Sequence, residues 1–173
     1  FRPANPTSLY TTFKTSLYFV NADNSTKLVD GNLAEFDDSF DNSVDLQDAM
    51  KFANINENFS LLRNKASIAM ERREPITGND TLFFNLSRTT QRNYKFAFQP
   101  AGFYPGIIAF LEDNYLGTKT MLSLLDISIY DFNVSGDIKS ATANRFRVVF
   151  TTLPLEVVPV TFKTIRAYKQ ALN

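Results

Sequence analysis

A chain of 173 residues, 44% hydrophobic and 21% charged, can bury a core of its own and has the composition of a globular domain, not a disordered one. Its 18 basic and 18 acidic residues cancel, which argues against a nucleic-acid-binding domain, where a basic excess is the rule. It contains no cysteine and no histidine, so disulfides, thiol nucleophiles, zinc–thiolate centres and a Ser-His-Asp triad are excluded within these residues.

In chain order, residues 8–20 place apolar side chains at 9, 13, 17 and 19 with threonines between, which predicts a strand carrying an irregularity. "NADNST" then turns. "KLVDGNLAEF" predicts a weaker strand interrupted at Asp30-Gly31, a hairpin-type turn signal. The acidic stretch "DDSFDNSVDLQDAMKFA" carries the one helical signal. Asp45 is placed to cap a short helix with Leu46, Ala49, Met50 and Ala53 on one face.

Strands separated by turns follow at "FSLLRN", "ASIAMERRE", "TLFFNLSRT", "YKFAFQP", "GIIAFLED", "TKTMLSL", "SIYDFNVS" and "RFRVVFT". Alternation is clear at Tyr94, Phe96 and Phe98, and it recurs at Ile127 and Ile129. In the last strand Phe146, Val148 and Phe150 share one face, which leaves Arg145 and Arg147 on an opposite, solvated face. The 17 Phe and 7 Tyr favour strands. Strands at this spacing predict an all-β domain, an antiparallel β-sandwich of jelly-roll or Ig-like type, with one short helix. No apolar run approaches the about 18 residues of a membrane span, so membrane insertion is not expected.

Any chemistry left to this composition must run on carboxylates, Lys or Tyr. Asp37, Asp38, Asp41, Asp45 and Asp48 form the densest polar group, and the first four are the candidate ligands for calcium, which takes six to eight oxygens. The competing reading is an acidic loop leading into a capped helix. Glu35, Glu112 and Asp113 are carboxylates of the kind a glycosidase pairs, but nothing in the sequence pairs them, and Glu112-Asp113-Asn114 reads as a hairpin turn. Phe103, Tyr104 and Tyr115 lie in loops and are the candidate glycan contacts, against a default of burial in a Phe-rich core. "ERRE" at 71–74 places two Arg on opposite faces of a solvated, salt-bridged strand end, with an anion or glycan site as the alternative reading.

Four segments occur in order: "DDSFDNSVDLQDAMKF", "NLSRTTQRNYKFAF", "AFLEDNYLGTKTMLSL" and "IYDFNVS" leading to "ANRFRVVF". Together they resemble a β-sandwich region that precedes the C-terminal type IX secretion sorting domain in large secreted and cell-surface proteins of Bacteroidetes. The resemblance runs through Phe40, Asp41, Asp45, Asp48, Ala49 and Lys51. It continues through Leu111, Asp113, Tyr115, Thr120, Leu122, Tyr130, Phe132, Arg145, Phe146 and Phe150. It covers about residues 8–152, and its specificity lies in the order of degenerate motifs.

The resemblance implies a β-sandwich domain over 1–152. Residues 153–173, "LPLEVVPVTFKTIRAYKQALN", are then a linker and the first strand of a following fibronectin-III-like module. It further implies a non-catalytic structural or spacer module, secreted or held on the outer cell surface. Its partners would be neighbouring domains of the same polypeptide and the type IX export machinery. The alternative is an adhesin or carbohydrate-binding module that engages surface glycans and is stabilised by calcium.

Overall fold

The computed structural model describes residues 10–153; the expected strand beyond Leu153 lies outside them. Among the described residues eleven strands follow one another: β1 (Thr11–Val20), β2 (Thr26–Phe36), β3 (Ala49–Met50), β4 (Asn58–Arg63), β5 (Ala66–Arg73), β6 (Asp80–Ser87), β7 (Arg92–Ala101), β8 (Ile107–Asp113), β9 (Thr118–Leu122), β10 (Ser128–Val134) and β11 (Phe146–Thr152). The all-β expectation is met. The strands form one sheet in the order β10-β7-β1-β2-β5-β4-β6-β11-β8-β9, with β3 added against β5.

The sheet is mixed, which corrects the antiparallel expectation: β2 and β5 run parallel, Leu33 opposite Met70 through Phe36 opposite Arg73. A parallel pair needs a long crossover, and residues 37–65, which include β3 and β4, supply it. A single hydrogen-bonded path runs from β10 to β9, and it curls until its walls meet in a nearly barrel-shaped body.

Aromatic rings fill the interior because the alternation puts every second residue there. Phe13, Phe59, Phe84, Phe96, Phe98, Phe146 and Phe150 are at most 1% exposed. They touch across the curl: Phe13 meets Phe150 edge-on at 5.6 Å, Phe96 meets Phe146 at 5.0 Å, and Phe59 meets Phe96 at 4.9 Å. Burying each such ring stabilises the fold by about 1.5–3 kcal/mol, and tilted or edge-on contacts add to that.

Three local expectations are corrected. The helix at 45–53 does not form. Asp45 does cap a turn, accepting from the Gln47 amide at 2.7 Å, but the Asp48 carboxylate accepts from the backbone N–H of Arg72 in β5 at 2.8 Å. That bond draws the chain into β3 and leaves Leu46 and Met50, which a packed helix would have buried, exposed. Among the described residues the helical turn is a 3-10 turn at Ile138–Ala141, capped by Asp137.

Asp30-Gly31 makes no hairpin either: β2 passes straight through it. A β-bulge at Leu17/Tyr18 absorbs the irregularity. A Cβ on Gly31 would lie 2.9 Å from the Thr15 carbonyl oxygen, so the glycine serves a close approach of β2 to β1. Arg145, placed by the alternation on a solvated face, is 1% exposed.

Candidate functional site

Among the described residues no ladder joins β10 to β9, the two ends of the strand order. Side chains bridge the seam instead. Arg145, just before β11, sends Nε and Nη2 to the two carboxylate oxygens of Asp113 at 3.0 and 2.8 Å. Its Nη1 donates to the carbonyl of Asn133 in β10 and to that of Ser140, both at 2.8 Å. The guanidinium lies over the rings of Phe146, Tyr115 and Phe132 at 4.7, 4.9 and 5.2 Å.

Asp113, at the end of β8, accepts in addition from the amides of Tyr115 and Leu116 and from the Tyr130 hydroxyl of β10 at 3.2 Å. Both charged side chains are 1% exposed. A bidentate, fully hydrogen-bonded pair is the geometry in which buried charge is tolerated. Burial, with the Asp113 charge as a lesser cause, raises the Tyr130 phenol above its ordinary value.

This network gathers six residues that carry the resemblance: Asp113, Tyr115, Tyr130, Phe132, Arg145 and Phe146. The acidic segment behaves likewise. Lys51 forms a short ion pair with Asp30, whose other oxygen accepts the Phe59 amide at 2.7 Å. Phe40 packs on Tyr10 and lies under the Arg72 guanidinium at 5.3 Å.

The candidate calcium ligands do not converge. Asp37 accepts from the amide and hydroxyl of Ser39, Asp41 from the amide of Ser43, and Asp45 from Gln47. Asp38 is exposed on the same loop. The serine bonds hold the Asp37 and Asp41 carboxyls below their ordinary values. Among the described residues no three acidic side chains are gathered in a position to hold a metal. The carboxylates serve local turns.

The candidate glycan contacts are also separated. Phe103 packs against the core, stacked on Phe150 at 5.8 Å and edge-on to Phe13 and Phe36. Tyr104 beside it is exposed. Tyr115 lies at the opposite end of β8, which at about 3.3 Å per residue puts the two groups on the order of 20 Å apart. Tyr115 is occupied by the Arg145 guanidinium.

No carboxylate of the three considered for acid–base work faces a second one. Glu35 pairs with Arg72 at 2.9 Å, Glu112 with Arg147 at 2.6 Å and Lys119 at 3.4 Å, and Asp113 with Arg145. The Arg147 hydrogen bond lowers the Glu112 carboxyl from its ordinary value.

The "ERRE" stretch is the largest departure from the sequence reading. Arg72 and Arg73 do face opposite ways, but Glu71 and Arg73 are buried, not solvated. A slip in the β3–β5 register between Ala49 and Met50 accompanies the change in which side chains point inward. Arg73 Nη2 forks onto Asp80 at 2.7 and 2.9 Å, and Arg63 Nη1 reaches Glu71 Oε1 at 2.6 Å. Sequence reasoning missed this group and the Asp113–Arg145 pair, because both link residues that are distant or offset in the chain. The one available signal was an Arg flanked by Phe-rich alternation at 145–150.

No helix among the described residues is long and apolar enough to cross a membrane. No protein family, no curated protein and no solved structure matches the chain.

Proposed function

We propose that this chain is a non-catalytic structural module of a larger bacterial surface protein exported by the type IX pathway. The fold reading that accompanies it is a sandwich: a layer around β10, β7, β1 and β2 over a layer around β6, β11, β8 and β9. Its partners are then the neighbouring domains of its own polypeptide and the export machinery, and its place is outside the cell.

The observation that supports this is the fate of the residues that carry the resemblance. Asp113, Tyr115, Tyr130, Phe132, Arg145 and Phe146 meet in one network at the seam, the two tyrosines half-buried and the other four buried. Side chains committed to holding a fold are what a spacer needs.

The test is a fusion of residues 1–173 between a reporter and a type IX sorting signal, expressed in a bacterium that has the pathway. The expected result is export with the module protease-resistant at the surface, and loss of that resistance in Arg145→Met. A wild-type fusion retained inside the cell, or an Arg145→Met fusion as resistant as wild type, would overturn the reading.

A further inference from the structure

Leu153 closes the described residues at an apolar end of the body. Thr152 of β11 lies opposite Ile107, the first residue of β8, and the Leu153 amide donates to the Gly106 carbonyl at 2.8 Å. Beside this point a hollow of about 260 Å³ opens among Tyr104, Ile107, Ile108, Leu122, Leu124 and Leu125. No residue of its lining carries a charge. Tyr104 is 75% and Leu125 85% exposed, and Leu153 itself is half-exposed. Apolar side chains gathered on a surface in this way mark a contact site.

The sheet is open at the same place. β9 stops at Leu122, opposite Ala109, so among the described residues Ile107 and Ile108 have β11 on one side and no strand on the other. An unpaired strand edge is a template for one more strand. The edge supplies backbone hydrogen bonds, and an adjoining apolar hollow takes every second side chain of the added strand.

The sequence that follows Leu153 fits both. Residues 157–162, "VVPVTF", hold no charge and lie between Glu156 and Lys163. Val158, Val160 and Phe162 alternate, so on a strand they share one face. Pro159 has no N–H to give, which confines such a strand to the edge of a sheet. The reach is sufficient. A strand two places from β11, beyond β8, lies about 10 Å away at ~4.8 Å per strand, and the four steps from Leu153 to Val157 cover about 13 Å. A tether this short holds the segment at about millimolar effective concentration, which favours it over the same run of another copy.

We propose that residues 157–162 add a strand to the open edge of β8 at Ile107 and Ile108, with Val158, Val160 and Phe162 seated in the apolar hollow. The hollow is then covered by this chain's own C-terminal segment. That assigns the segment to this domain, where the resemblance implies the first strand of a following one. The added strand is independent of the structural role proposed above, since the Asp113–Arg145 network lies at the other end of β8.

The experiment is paramagnetic broadening of amide signals in the full 173-residue chain. Because the protein has no cysteine, Thr161→Cys gives a single site for a nitroxide label, on the face of the segment turned away from the hollow. The signals of Ile108, Leu124 and Leu125 are expected to lose at least half their intensity. Those of Asn24 and Asn133, which meet at the opposite end of the body, should be unchanged. With Val158→Ser, Val160→Ser and Phe162→Ser added together, most of the lost intensity should return. Undiminished signals around the hollow overturn the inference, and are what a segment belonging to a following module would give. Broadening that the three serines do not relieve also overturns it, because a tether alone would then account for the effect. So does broadening that appears only when spin-labelled chain is mixed with isotope-enriched chain carrying no spin label, which would make a second copy the occupant.

Discussion

Arg145→Met tests whether the seam is held by the ion pair or only fastened around it. Methionine keeps much of the length and apolar contact of the arginine stem and removes five N–H donors. Asp113 then stays 1% exposed with its charge uncompensated, and the carbonyls of Asn133 and Ser140 lose their donor. Breaking a buried pair by removing one partner costs about 3–5 kcal/mol, against a total of about 5–15 kcal/mol for a domain.

In urea, with a slope of about 2 kcal/mol/M, the midpoint should fall by about 2 M. The thermal midpoint should fall by roughly 10 °C. Adding Asp113→Asn removes the stranded charge while keeping an oxygen for the Tyr115 and Leu116 amides. The double variant should therefore recover part of the loss, with an interaction energy of about 2–3 kcal/mol in the cycle. The reasoning fails if Arg145→Met lies within about 1 kcal/mol of wild type at unchanged slope. It also fails if the two single changes add to within about 0.5 kcal/mol.

Thr15 Oγ1 and both polar atoms of Asn32, paired across β1 and β2, are buried without hydrogen-bond partners. Thr15→Val should raise stability in urea by about 1 kcal/mol, and a comparable loss would show that a buried water serves the pair. Gly31→Ala should cost about 1–3 kcal/mol, because its Cβ meets the Thr15 carbonyl at 2.9 Å; an unchanged midpoint would refute the close approach.

The pH profile should fall off on both sides. Glu112 is lowered from 4.5, so its contribution is full above that value and is lost as the pH falls through the folded value. Tyr94 and Tyr130 are raised from 10.0, chiefly by burial, so theirs is full below about pH 10 and is lost as the pH rises through their folded values. Urea midpoints across pH check both limbs, and a midpoint that climbs from pH 10 to 11 would contradict the alkaline one.

The all-β character was legible because alternation is a local signal. Tyr94, Phe96 and Phe98 declare a strand within five residues, and all three are buried. The failures share a cause: each depends on a partner far along the chain. Asp45 to Ala53 satisfies every local rule for a short helix, and a bond from Asp48 to a backbone amide 24 residues away overrides them. Asp30-Gly31 has the chemistry of a hairpin turn, but Asp30 is engaged by Lys51 and the Phe59 amide. Periodicity cannot see either contact.

Charge on a strand is read as solvent-facing because burying it costs several kcal/mol per ion. That inference fails wherever the fold supplies the opposite charge, and it failed at Arg145 with Asp113 and at Arg73 with Asp80. The two cases are nonetheless different in kind. Each guanidinium nitrogen of Arg145 has a partner in Asp113 or in one of two carbonyls, and three aromatic faces surround it. Arg73 has a fork onto Asp80, a long contact to Glu71 and a buried Nε–H with no acceptor. A buried charge whose nitrogens all find partners fastens the fold, and one with a buried donor left unmet keeps a desolvation cost in the folded state. That difference in hydrogen-bond completion, and not burial or charge alone, decides how much each buried arginine contributes to stability.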